Sequence, residues 1–203
     1  ATIGGPVSTR ASNIIAYFLP SNSLGVYGQI QQYFGENVSN ATTPNDGNGS
    51  SLRIGYKTGP FNISVSAANT SYAQSATTGD IGSSSIGMSY THPLATLMAA
   101  SYQDKVNTTN GQTATGSILG AIVPAGNGQF KIALSRYATD AAGNPESMKS
   151  AVGYVYNVMK DAVVYGTYAQ VSNSGGAKTA LGGAITAANL SSSAYEIGVR
   201  YSF

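Results

Sequence analysis

The final segment, Tyr195-Glu196-Ile197-Gly198-Val199-Arg200-Tyr201-Ser202-Phe203, alternates in size and polarity without a break. Every odd position is large and apolar or aromatic, and every even one is small, polar or charged. Side chains on a strand point to opposite faces with a period of two, so one face of this strand meets an apolar medium and the other meets water. The pattern recurs upstream. Leu52, Ile54 and Tyr56 alternate with Arg53, Gly55 and Lys57, and Phe61, Ile63, Val65 and Ala67 alternate with Asn62, Ser64, Ser66 and Ala68. Ile86, Met88 and Tyr90 stand against Ser85, Gly87 and Ser89, and Val152, Tyr154, Tyr156 and Val158 against Ala151, Gly153, Val155 and Asn157. Strands of less clear phase are expected at 10–19, 26–35, 94–105, 113–123, 129–138 and 161–172, for about eleven in all. Phe130, Ile132 and Leu134 share a face with Arg136, which requires a bulge or a position above the apolar band.

The apolar medium follows from composition. Charged residues make up 9% of the chain and hydrophobic ones 42%, whereas a soluble domain carries about 25% charged residues. The 14 Tyr argue against disorder, which leaves lipid as a candidate solvent. The longest unbroken apolar run is Ile14 to Leu19, far short of the roughly 20 residues of a membrane helix. A backbone in lipid satisfies its hydrogen bonds internally, so the remaining way to span is a closed barrel. The absence of Cys fits an exported bacterial protein and equally a cytosolic one. A net charge of +2 with no Lys/Arg run excludes a nucleic-acid footprint.

Connections alternate in length. Short turns are expected at Ser21 to Gly25, Thr58 to Pro60, His92-Pro93, Ala125 to Gly128 and Met159-Lys160, and long polar loops near 36–50, 73–80, 106–112, 139–147 and 173–193. This rhythm is that of an outer-membrane barrel, with tight periplasmic turns and long external loops. The fold expected is all-β, an antiparallel transmembrane β-barrel, with residues 1–203 as one domain. The last strand ends on the periplasmic side and the first begins outside. Bacterial barrels have an even strand number, so N-terminal strands are expected to be missing, with Ala1 to Thr9 as the tail of a cut external loop. The chain begins at Ala1 without initiator Met or signal peptide, as a mature or truncated exported protein would.

Ser12-Asn13-Ile14-Ile15-Ala16-Tyr17-Phe18-Leu19-Pro20, Gly25-Val26-Tyr27-Gly28-Gln29 with Tyr33-Phe34-Gly35-Glu36, Gly153-Tyr154-Val155-Tyr156-Asn157, Tyr165-Gly166-Thr167-Tyr168-Ala169 through Ser172-Asn173 and the terminal segment together give the chain a family likeness. It resembles the general trimeric porins of the proteobacterial outer membrane, over essentially its whole length. Porins of this kind have about sixteen strands, so the resemblance implies about strands six to sixteen, with the inward-folded third loop lost except within residues 1–9. It implies a homotrimer, outer-membrane lipid around the barrel, and recognition by the barrel assembly machinery through Tyr195, Ile197, Val199, Tyr201 and Phe203. The same residues also serve simply as the lipid-facing row of a final strand, and the two roles are compatible. Members often place Arg in the first strand after the third loop, where this chain has Ala16.

Charge placement carries the functional expectation. Glu36, Asp46, Asp80, Asp104, Asp140 and Glu146 lie in or beside long loops and Asp161 beside a short turn, which leaves Glu196 alone within a strand body. Arg53, Lys57, Lys131, Lys149 and Arg200 fall on the polar, pore-lining phase, joined at strand ends by Arg10 and Lys105. A lipid-facing Lys or Arg costs about 2 to 4 kcal/mol at midplane, so inward placement is expected of any barrel. The excess over inward acids is not, and it points to weak anion preference. Catalysis has little to work with. His92 stands alone in a His-Pro turn without a nucleophile partner, and Cys and His ligands for zinc are lacking. Asp46-Gly47-Asn48-Gly49-Ser50 lacks the closing acid of a calcium loop, and Gly175-Gly176-Ala177-Lys178-Thr179 lacks the spacing of a phosphate loop. The expectation is a water-filled channel for passive diffusion of small hydrophilic solutes and ions, without cofactor, metal or reaction. The alternative from another class is a surface-binding protein, either a small-barrel adhesin or a soluble β-sandwich lectin.

Overall fold

A computed structural model describes residues 11–203. It contains β1 (Ile14–Phe18), β2 (Val26–Tyr33), β3 (Gly49–Thr58), β4 (Phe61–Thr70), β5 (Ile81–His92), β6 (Ala95–Val106), β7 (Thr113–Ala125), β8 (Gly128–Thr139), β9 (Glu146–Met159), β10 (Ala162–Ser174) and β11 (Ser192–Tyr201). The eleven strands follow one another as neighbours in one sheet, in the order of the sequence. Four of the short connections hold two residues, Gly59-Pro60, Pro93-Leu94, Gly126-Asn127 and Lys160-Asp161, the length that favours a tight hairpin. The turn before β2 depends on Gly25. Its φ is +76°, and a Cβ there would stand 2.2 Å from the Lys57 carbonyl oxygen, while its own carbonyl accepts the Lys57 N–H at 2.9 Å.

Several expectations need adjustment. β1 is shorter than the 10–19 expected for it, and Arg10 and the stretch Ala1 to Thr9 lie outside the described residues. β8 and β9 pair from Gly128↔Tyr156 to Ala138↔Glu146 without a register shift, so no bulge there re-aims Arg136. The one irregularity in β9/β10 falls between Ala162 and Val163. Arg136 instead lies near the loop-side end of β8, where its Nη2 meets Glu146 Oε2 at 2.6 Å. Asp104 sits inside β6 because that strand runs on to Val106, whose N–H is bonded to Gln112 at 2.9 Å, and Glu146 opens β9. Glu196 is therefore not the sole acid within a strand. The ladder of β11 stops at Tyr201, and the Ser202 N–H donates to the Asp161 carbonyl at 2.8 Å.

The chain divides into two compact units. The first takes the described residues up to Met88 with Ser101–Thr115 and Thr139–Ala141; the second takes Ser89–Ala100, Gly116–Ala138 and Ala142–Phe203. In the first, burial runs opposite to that of a water-soluble sheet. Phe61, Ile63 and Val65 of β4 are 58%, 41% and 45% exposed, whereas Asn62, Ser64 and Ser66 between them are half-covered. The apolar residues buried in this unit, Tyr33, Ile81, Val106 and Ala114, all stand at loop-side strand ends. There the loops bind one another. The Gly47 N–H donates to the Ser71 carbonyl at 2.9 Å, Ser71 N–H to Asn48 at 2.7 Å and Asn107 N–H to Asp80 at 2.8 Å, and Asp46 Oδ1 accepts the Ala73 N–H at 2.8 Å.

In the second unit Val171, Ser147 and Asn173 are buried, again at loop-side ends. Asn173 Nδ2 donates to the carbonyls of Thr179 at 2.9 Å and Leu190 at 2.6 Å. Its Oδ1 accepts Ser147 Oγ–H at 2.7 Å and the Thr179 N–H at 3.1 Å. The segment that superficially suggested a phosphate loop is thus the start of a connection tied down by a buried amide.

Candidate functional site

Strand pairing puts the charged residues in rows. In the first unit Gln29, Arg53 and Ser66 are directly opposed across β2, β3 and β4, as are Tyr27, Gly55 and Ser64 in the next row. Lys57 stands opposite Asn62 one row further. Arg53 and Lys57 therefore share one face of β3, on either side of Gly55, and the other face carries Leu52, Ile54 and Tyr56, all exposed.

In the second unit Lys131, Gly153, Thr167 and Glu196 form one row across β8 to β11, and Ser135, Lys149, Val171 and Ser192 form another. Arg200 stands opposite Val163 on the same face. The opposite face of β11 holds Tyr195, Ile197, Val199 and Tyr201 at 84%, 79%, 72% and 62% exposure, and Phe203 beyond the strand is fully exposed. Arg136 shares the other face of β8 with Phe130, Ile132 and Leu134, opposite in phase to Lys131, Lys149 and Arg200 of this unit, and it carries an ion pair with Glu146.

Tyrosines on the polar faces were missed in the sequence. Tyr27 is the direct partner of Gly55, and a Cβ at Gly55 would fall 2.1 Å from its Cζ. The ring therefore lies flat across β3. Its hydroxyl reaches β4 and donates to Asn62 Oδ1 at 2.6 Å, and the Arg53 guanidinium carbon sits 5.6 Å from the ring centroid. The second unit repeats the device with an acid. Tyr165 lies over Gly198, its opposite residue, with a would-be Cβ 2.4 Å from Cζ, and donates to Glu196 Oε1 at 2.7 Å. A Tyr at a polar phase opposite a Gly is legible once hairpin lengths fix the register.

A cavity of about 840 Å³ opens within the first unit at its loop-side end. Gln31, Glu36, Asp46, Ser51, Thr70 and Tyr72 are among its walls. Burial, with Tyr33 and the Asp46 carboxylate nearby, pushes the Tyr72 hydroxyl above its ordinary pKa. His92, the last residue of β5, accepts the Leu94 N–H on Nδ1 at 3.3 Å and so closes its own turn. No group of His, Cys, Asp and Glu suited to a metal ion occurs among the described residues.

The family profile described as Gram-negative porin matches residues 1–176. Outer membrane porin protein 32 of Delftia acidovorans is 27% identical over an alignment of 203 positions that covers 96% of this chain and 57% of that protein. The solved anion-selective porin from Comamonas acidovorans superposes with a TM-score of 0.84 at 25% identity, covering 95% of this chain and 60% of the other. The outer membrane channel DcaP of Acinetobacter baumannii gives a TM-score of 0.70 at 12% identity, over 100% and 65% of the two chains, a likeness of fold alone. The chain thus spans somewhat more than half the length of the relatives it matches.

Proposed function

Since this chain belongs to the Gram-negative porin family of the bacterial outer membrane, we propose that it forms the wall of a water-filled channel through which small hydrophilic solutes and ions diffuse passively. The observation that carries the reading is the inverted burial of strands such as β4, with Phe, Ile and Val exposed and Asn and Ser half-covered. A strand of this kind is stable where lipid covers the apolar face and water the polar one. In this reading residues 1–203 belong to one barrel domain, and Arg53, Lys57, Lys131, Lys149, Glu196 and Arg200 line the water. Five of these six are cations, so local anion concentration rises and the channel prefers anions weakly.

Three further parts of the reading follow from membership. The protein assembles as a homotrimer, it passes through the barrel assembly machinery by way of Tyr195, Ile197, Val199, Tyr201 and Phe203, and it carries out no reaction and holds no cofactor. Liposome swelling with sugars of graded size tests the channel: a leak that falls off with solute size is expected, and tight liposomes overturn it. Reversal potentials in a KCl gradient across a planar bilayer test the selectivity, which clear cation preference overturns.

A further inference from the structure

The Tyr27 side chain starts on β2, passes over β3 at Gly55 and ends on β4 at Asn62. That path exists only because residue 55 has no Cβ: one would stand 2.1 Å from Cζ, 2.4 Å from the hydroxyl oxygen and 2.5 Å from Cε2 of the ring. The ring held in this way exposes one face, and the Arg53 guanidinium lies over it at 5.6 Å. A guanidinium is attracted by the face of an aromatic ring and loses little hydration there. The planar group is thereby kept against the wall, where a long, freely rotating side chain would otherwise sample many positions in water.

We infer that Gly55 is a positioning residue for ion selectivity: by letting Tyr27 lie flat it builds the platform that holds the Arg53 charge at a fixed place on the polar face. The inference rests on the channel reading above. Any side chain at position 55 lifts the ring, breaks its bond to Asn62 and turns the aromatic edge outward. Arg53 keeps its charge but loses its place, so the effect appears as changed selectivity and not only as changed stability.

The test is the anion-over-cation permeability ratio of single channels in planar bilayers. The variants are R53Q, G55A, Y27A and the double variant G55A/R53Q, with Gly166→Ala as the control, since a Cβ there meets nothing closer than the Glu196 carbonyl oxygen at 3.9 Å. R53Q is expected to lower the ratio. G55A and Y27A are expected to shift it in the same direction by a smaller amount, G166A to leave it at the wild-type value, and G55A/R53Q to match R53Q. Y27A removes the platform without adding bulk, so it decides the matter if G55A does not assemble. An unchanged ratio in Y27A, an unchanged ratio in R53Q, or full additivity in the double variant overturns the inference, because coupled residues deviate from additivity. A wild-type protein that conducts nothing overturns the channel reading itself. A conducting wild type with unshifted G55A and Y27A overturns this inference alone.

Discussion

Leu134 and Ala133 sit on either side of the midpoint of the twelve-residue strand β8, each about 2 Å from it along the chain at the usual strand rise. Their neighbours on β9 are Ser150 and Ala151. Depth is thus nearly the same for both and only the face differs. Twelve residues tilted as barrel strands are cover roughly 30 Å, more than the apolar band of about 25 Å, so both lie near its middle. Leu134 is 54% exposed. If that exposure is to lipid, Leu134→Lys costs about 2 to 4 kcal/mol, which is roughly a 30-fold to 1,000-fold loss in the folding equilibrium. Ala133→Lys, at a half-buried position on the face of Lys131, is expected to cost clearly less, because its long stem carries the ammonium into water. Urea unfolding in thin-lipid vesicles measures both, followed by tyrosine fluorescence because the chain has no Trp. If L134K and A133K come out within about 0.5 kcal/mol of each other, the exposed apolar face borders water and the assignment of faces is wrong.

Deleting Phe203, which lies beyond the last strand and is fully exposed, is expected to leave unfolding in vesicles within about 0.5 kcal/mol of wild type and to reduce assembly in the outer membrane of cells several-fold; equal assembly would leave the terminal row with only its lipid-facing role. Asn173→Ala removes four hydrogen bonds, three to the connection between β10 and β11 and one to Ser147 of β9; at about 1 to 3 kcal/mol for buried groups left unpaired, proteolysis at 175–191 is expected to speed up roughly 5- to 150-fold. Tyr72 has its pKa raised by burial and by nearby Tyr33 and Asp46. Its neutral form is favoured in the folded state, so its contribution is intact below the ordinary tyrosine value of about 10 and is lost as pH rises through the higher folded value. Hydrogen exchange of the 71–80 loop is therefore expected to accelerate above about pH 10 in wild type, and Tyr72→Phe to reduce that acceleration.

Alternation is a property of one strand, and it was legible wherever the two faces differ in chemistry, as in β3, β4, β9 and β11. The eleven strands and the short and long connections follow from it, because both the pleat and the tight turns are written locally as alternating size and as Gly, Pro and Asn. What reached across strands was not legible. Arg136 breaks the apolar phase of β8, and the sequence allowed either a bulge or a position near the rim. The choice depended on the β8/β9 register, which brings Glu146 within 2.6 Å of it. Tyr27 and Tyr165 look like misplaced aromatics on a polar face until the opposite residues are known to be Gly55 and Gly198. Neither residue of such a pair is informative alone: the glycine reads as a weak strand position, and the tyrosine reads as part of a lipid-facing girdle. Together they let an aromatic side chain lie along the wall and hold a charged neighbour, Arg53 in one unit and Glu196 in the other. Charge counting along the chain thus assigns the cations to a face, and Gly55, opposite Tyr27, decides where on that face the charge of Arg53 is held.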